Sequence, residues 1–181
     1  MQKKTYKIKE KSPLSKGEIS RLVCLIREFN DWIINKRKEN KLAELIQFPK
    51  TPPQLSENLA LQLMIDGEIL NDHNLVSFRL DNNTADIIAT TNKGDEVTVE
   101  IKATVKDFQS FGLKDIKANY LIWMDLSNLI LRNIGSINIH LLPNPGAFFS
   151  KPCKIGLKPF LVQTEGGKRT DYIIDIFQYL K

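Results

Sequence analysis

Residues 84–104 read Thr-Ala-Asp-Ile-Ile-Ala-Thr-Thr-Asn-Lys-Gly-Asp-Glu-Val-Thr-Val-Glu-Ile-Lys-Ala-Thr. Two β-branched runs, 85–90 and 97–104, flank Asn92, Lys93, Gly94 and Asp95, which tolerate the backbone angles of a tight turn, so a β-hairpin is expected. Strand side chains alternate, which puts Val97, Val99, Ile101 and Ala103 on one face and Thr98, Glu100, Lys102 and Thr104 on the other. Asp86, in the partner strand, joins Glu100 and Lys102 if the register brings its side chain out on their face.

Such a group has chemical content. Two carboxylates on adjacent strands suit a hard divalent cation such as Mg²⁺, which takes oxygen ligands and keeps several waters. A lysine beside them suits the placing of a water or the stabilising of an anionic phosphate. These are the parts of metal-assisted phosphodiester hydrolysis. The plainer alternative is a solvated strand face on which Glu100 and Lys102 merely pair their charges.

Asp86 followed by Glu100-Ile101-Lys102 in a hairpin resembles the PD-(D/E)XK motif of the restriction-endonuclease-like nucleases, with Ala85 standing where the motif's name has proline. The resemblance spans residues 52–126, in the order helix, three strands, connection and fourth central strand. It implies an α/β fold with a restriction-endonuclease-like core, a central mixed β-sheet flanked by α-helices. It also implies Mg²⁺ held by Asp86, Glu100 and the carbonyl of Ile101, with Lys102 supporting the attacking water. Glu57, in the preceding helix, matches the place of an auxiliary carboxylate; otherwise it is an ordinary first-turn glutamate. The implied activity is that of a type II restriction endonuclease, cutting double-stranded DNA at a specific sequence as a homodimer on a two-fold site. Three alternatives stand beside it: a structure-specific nuclease of the same core, acting in junction resolution or repair; a non-catalytic DNA-binding module of that fold; and a domain whose Glu-x-Lys is only surface pairing.

Composition bounds these options. With 181 residues, 42% hydrophobic and 26% charged, the chain fits one globular domain, here a single nuclease domain over 1–181. Within it, 1–50 reads as a basic helical extension, 51–126 as the catalytic core, and 127–181 as the DNA-recognition region with a C-terminal helix. No apolar run is long enough to span a membrane, and residues 1–11 lack the apolar stretch of a signal peptide, so a cytoplasmic protein is expected. Residues 1–50 hold 13 Lys and Arg against 6 Asp and Glu, 51–100 hold 2 against 9, and 101–181 hold 11 against 6. A basic, acidic, basic order fits a carboxylate-rich centre between surfaces that attract a polyanion, although a basic tail that only aids solubility would give it too. Cys24 and Cys153 lack metal-ligand spacing, so zinc is not expected; Cys24 falls in an apolar helical pattern as a core thiol.

Taken in order, residues 1–13 read as a basic arm. Ile19, Leu22, Val23, Ile26, Phe29, Trp32 and Ile33 mark an amphipathic helix over 17–38, with a short helix at 42–46. Thr51, Pro52, Pro53 and Gln54 form a helix start with a capping box, and the helix, apolar nearly all round, runs to Asp66 and stops at Gly67. Strands follow at 74–80, 85–90 and 97–104, with His73 in the loop before them. Residues 105–114 read as a polar segment in which Gln109 and Ser110 are candidates to steady a water or phosphate. The run from Tyr120 to Leu126 is a central strand buried on both faces, and 137–142 a fifth strand. Residues 144–169 read as irregular and basic, offering Lys151, Lys154, Lys168 and Arg169 for DNA recognition. Residues 171–180 read as a closing amphipathic helix.

Overall fold

The computed structural model describes residues 12–40, 51–72, 74–81, 83–105, 108–132 and 134–181. Most of the basic arm, the helix expected at 42–46 and His73 lie outside them. Helix α1 (Lys16–Glu39) opens with a capping box: Glu18 N–H donates to Ser15 Oγ, and Ser15 N–H donates to Glu18 Oε2 at 2.8 Å. Ile19, Val23, Asn30 and Ile33 are its buried line. Cys24 lies one step round from Val23 and is exposed, so it is not the core thiol its apolar neighbours suggest. Helix α2 (Pro53–Ile65) begins at Pro52 with no side-chain cap, so the expected Thr51 capping box does not form. Its buried residues include Leu55, Leu59, Ala60, Leu61, Leu63 and Met64, and Gly67 follows with φ of +74°, the left-handed geometry that ends helices. Asn58 Oδ1 accepts the Leu14 N–H at 2.6 Å, tying the start of α1 to α2.

Strands β1 (Leu75–Leu80), β2 (Ile87–Thr91) and β3 (Glu96–Thr104) form the expected antiparallel meander, and Gly94, at φ +87°, supplies the turn between the last two. Strand β4 (Phe108–Phe111) and helix α3 (Leu113–Lys117) lead to β5 (Tyr120–Asp125), then α4 (Ser127–Leu131) and β6 (Ser136–Pro143). Strand β7 (Cys153–Gly156), α5 (Leu157–Gln163), β8 (Thr170–Asp175) and α6 (Ile176–Tyr179) complete the chain. The result is a mixed α/β fold with a six-stranded sheet in the order β1-β2-β3-β5-β6-β8, in which β3 and β5 are parallel and the other neighbours antiparallel.

Three expected stretches fold differently. Residues 108–111 are a strand, because β4 pairs with β7 in a separate two-stranded ribbon. Residues 144–169, expected to be irregular, contain that β7 and α5. Of residues 171–180 only 176–179 form the expected helix: before it β8 adds to the edge of β6, with Tyr172 and Ile174 half-buried and Ile173 76% exposed in the alternation of a strand.

The sheet separates two cores. On one face α1 and α2 pack against Ile87, Val99, Ile101, Ile122, Met124 and Ile139. On the other, Leu121, Trp123 and Leu142 meet Phe111, Phe149 and Phe160, with the Trp123 and Phe160 rings 4.9 Å apart. Among the described residues no helix is long and apolar enough to cross a membrane.

Candidate active site

The hairpin register pairs Ile87 with Val99, and one residue further places Asp86 opposite Glu100 on the same face of the sheet. The turn before Asp86 is built by Asp81, whose Oδ2 accepts the N–H groups of Asn83 (3.2 Å), Thr84 (2.7 Å) and Ala85 (3.2 Å). Asp81 N–H in turn donates to the Asp86 carbonyl at 3.0 Å. Asp86 Oδ2 accepts the Ile101 N–H at 2.8 Å, so the carboxylate is fastened to the backbone between Glu100 and Lys102. Ile101 itself turns its side chain into the α1–α2 core.

Lys102 lies on the Glu100 face, where its Nζ meets Asp115 Oδ1 at 2.8 Å. Asp115 is buried, and its Oδ2 accepts the Gly112 N–H at 2.6 Å, which starts α3. One carboxylate thus fixes both the helix and the lysine. The residue before it, Lys114, reaches back over the strands: its Nζ lies 3.4 Å from Asp86 Oδ1 and 3.2 Å from Glu100 Oε1. Lys114 and Asp115 are the site residues that strand alternation does not reveal. Their only local signal is Gly112 with Asp115 three residues on, a helix start that brings the chain back across β3.

The electrostatics follow from burial. Glu100 is 2% exposed, and desolvation, then the nearby Asp86 carboxylate, push its carboxyl up to about 7 against the pull of Lys114. Burial works against the charge of Lys114, yet Asp86 and Glu100 hold its ammonium above the ordinary lysine value. Among the described residues Glu100 Oε1 has the Lys114 ammonium, 3.2 Å away, as its ion-pair partner and no well-formed hydrogen bond. A buried carboxyl oxygen met only by an ion pair, facing a second carboxylate that shares the same cation, is a fit for a metal ion with oxygen ligands. Among the described residues no three His, Cys, Asp or Glu side chains group to hold a metal, so a Mg²⁺ ion here would draw on the two carboxylates and a backbone carbonyl, with water or substrate in its other positions.

The remaining candidates are spread more widely. Because α2 starts at Pro53, Glu57 falls past its first turn and is not the first-turn glutamate expected; it is half-buried on the helix that covers the opposite sheet face from Glu100 and Lys102. Gln109 Nε2 donates to the Ala103 carbonyl at 2.6 Å, so it braces the end of β3. Ser110 is exposed on the ribbon and pairs across it with Lys154, whose Nζ stands 5.7 Å over the exposed Phe108 ring. Lys151 and Lys168 are exposed. Arg169 is committed inside the protein, donating to the Leu161 carbonyl at 2.6 Å, Thr164 Oγ1 at 2.7 Å and both oxygens of Asp171 at 2.9 and 3.0 Å. That leaves its guanidinium a poor candidate for base contacts. Asp171 also meets the buried His140 at 2.8 Å, closing a network that pins β8 to β6. No family model, no curated protein and no solved structure matches the chain.

Proposed function

We propose that this protein is a Mg²⁺-dependent endodeoxyribonuclease with a restriction-endonuclease-like core, hydrolysing phosphodiesters of duplex DNA at specific sites in the cytoplasm. The observation that carries this function is the pair Asp86 and Glu100: side by side on one face, both within reach of a single cation, with Lys102 next along the strand. The order α2, β1, β2, β3, then the β4–α3 connection and β5, with β3 and β5 parallel, supports it as well.

Asp86, Glu100 and the Ile101 carbonyl would hold the metal, which when bound supplies charge neutralisation at the phosphate and a more acidic water. Lys102 orients the attacking water, and its pairing with Asp115 fixes the ammonium before substrate arrives, so that little reorganisation is needed at the moment of reaction. Asp81 and the Ile101 N–H hold Asp86 at its place opposite Glu100. The β4–β7 ribbon, with Ser110 and Lys154 outward beside Phe108, offers phosphate and base contacts at the width of a two-stranded ribbon that a major groove admits. Exposed Lys151 and Lys168 extend the basic surface. Two copies on a two-fold DNA site would supply one active site per strand.

One observation favours a second function, a DNA-binding module without catalysis: Lys114 already neutralises the carboxylates from within. Incubating linear phage DNA and branched DNA with the protein in Mg²⁺, beside Lys102→Ala and an EDTA control, separates the two. A nuclease gives fragments lost in both controls; a binding module leaves every substrate intact while retarding it.

A further inference from the structure

Two lysines approach the carboxylates, and they are held very differently. Lys102 makes a short 2.8 Å pair with Asp115, and the two side chains are only 24% and 6% exposed. Lys114 keeps 45% of its side chain in solvent, donates to Asp86 Oδ1 across a long 3.4 Å, and pairs with Glu100 Oε1 at 3.2 Å. A half-exposed ammonium with long contacts gains little from them, and its flexible stem swings to water at small cost. Yet it lies where a cation shared by Asp86 and Glu100 belongs.

We propose that Lys114 is the resident counter-ion of the Asp86–Glu100 pair, and that a divalent cation binds there only by displacing it. This rests on the pair being a metal site. Lys114 then does two jobs. Without metal it offsets the negative charge of two facing carboxyl groups in a buried setting; with metal it is ejected towards solvent. The competition lowers metal affinity in proportion to the time the ammonium spends between the carboxylates. If the pair is free for about a tenth of the time, apparent affinity falls about tenfold. An arginine at this position would keep the competing charge; a neutral side chain would not.

The test is calorimetric titration of the metal-free protein with Mn²⁺, without DNA, for the wild type, Lys114→Gln, Lys114→Met, Lys114→Arg and Asp86→Asn. The expected result is Mn²⁺ binding about tenfold tighter in the Gln and Met variants, near wild type in the Arg variant, and abolished in Asp86→Asn. Melting temperatures with and without Mn²⁺ provide a second readout: the metal-free Gln variant melts lower than wild type, and Mn²⁺ raises its melting point by more. Wild-type binding that Asp86→Asn removes but Lys114→Gln leaves unchanged or weakens overturns the role of Lys114 and leaves the metal site standing. Binding that Asp86→Asn does not reduce overturns the metal site itself, and this role with it.

Discussion

Lys102 Nζ and Asp115 Oδ1 meet at 2.8 Å beneath the surface of the candidate site, joining the end of the central hairpin to the first turn of the helix that follows. The pair is largely withdrawn from water, so each charge depends on the other. Removing Asp115 also frees the Gly112 N–H that it accepts.

Lys102→Met and Asp115→Asn are each expected to lower stability by roughly 2 kcal/mol, less than a fully buried pair because Lys102 keeps part of its side chain in solvent. The double variant recovers part of that loss, because neither charge is then left alone. Urea denaturation of the four proteins measures the coupling, expected at about 1–2 kcal/mol. Strict additivity would show that the pair does not act as a unit.

Glu100 gives the metal-free protein a pH dependence. Burial first, and Asp86 second, raise its carboxyl to about 7, against an ordinary 4.5 that the unfolded chain recovers. Between those values the folded protein keeps a proton that the unfolded chain has lost, so unfolding free energy falls as pH rises through that window and levels off above it. From about pH 5 to 7.5 in EDTA, wild type is expected to lose roughly 2 kcal/mol more than Glu100→Gln in urea denaturation. Equal losses would contradict the assignment.

Asp81 acts at one remove, by shaping the turn that presents Asp86. Asp81→Ala strips three N–H groups of their acceptor and is expected to cost about 2 kcal/mol and to weaken Mn²⁺ binding severalfold. Asp81→Asn, which keeps an acceptor oxygen, retains most of both. A metal affinity identical in Asp81→Ala and wild type would show that Asp86 needs no such support.

Local pattern carried the parts of this fold that are made of local pattern. The β2–β3 hairpin is visible because alternation on either side of Gly94 agrees with the turn it needs, α1 because its apolar residues recur at helical spacing, and α2 because an apolar run opens at Pro52-Pro53 and stops at Gly67. The ribbon of β4 and β7 is not visible: four residues such as Phe108 to Phe111 become a strand only because Cys153 to Gly156 arrive beside them. At the C-terminus Tyr172, Ile173, Ile176, Phe177 and Leu180 satisfy a helical spacing, but the open edge of β6 gives 170–175 a ladder of hydrogen bonds, and pairing across the sheet prevails.

The same division holds at the site. Asp86, Glu100 and Lys102 fall on one face by strand periodicity plus one register. Lys114 and Asp115 join them only because the chain folds back after β3, and Arg169, a free cation in the sequence, is drawn into a network with Leu161, Thr164 and Asp171.

Asp86 and Glu100 are proposed to hold together the metal ion at which DNA is cleaved. The most direct measurement is cleavage of phage DNA in Mg²⁺ by the wild type and by Asp86→Asn, Glu100→Gln and Lys102→Met, prepared side by side, with DNA retardation measured in Ca²⁺. Discrete fragments are expected from the wild type, with loss of at least about 100-fold in rate in each variant and retardation retained in Lys102→Met. DNA left intact by the wild type in both Mg²⁺ and Mn²⁺, or cleavage that survives Asp86→Asn, would contradict that role.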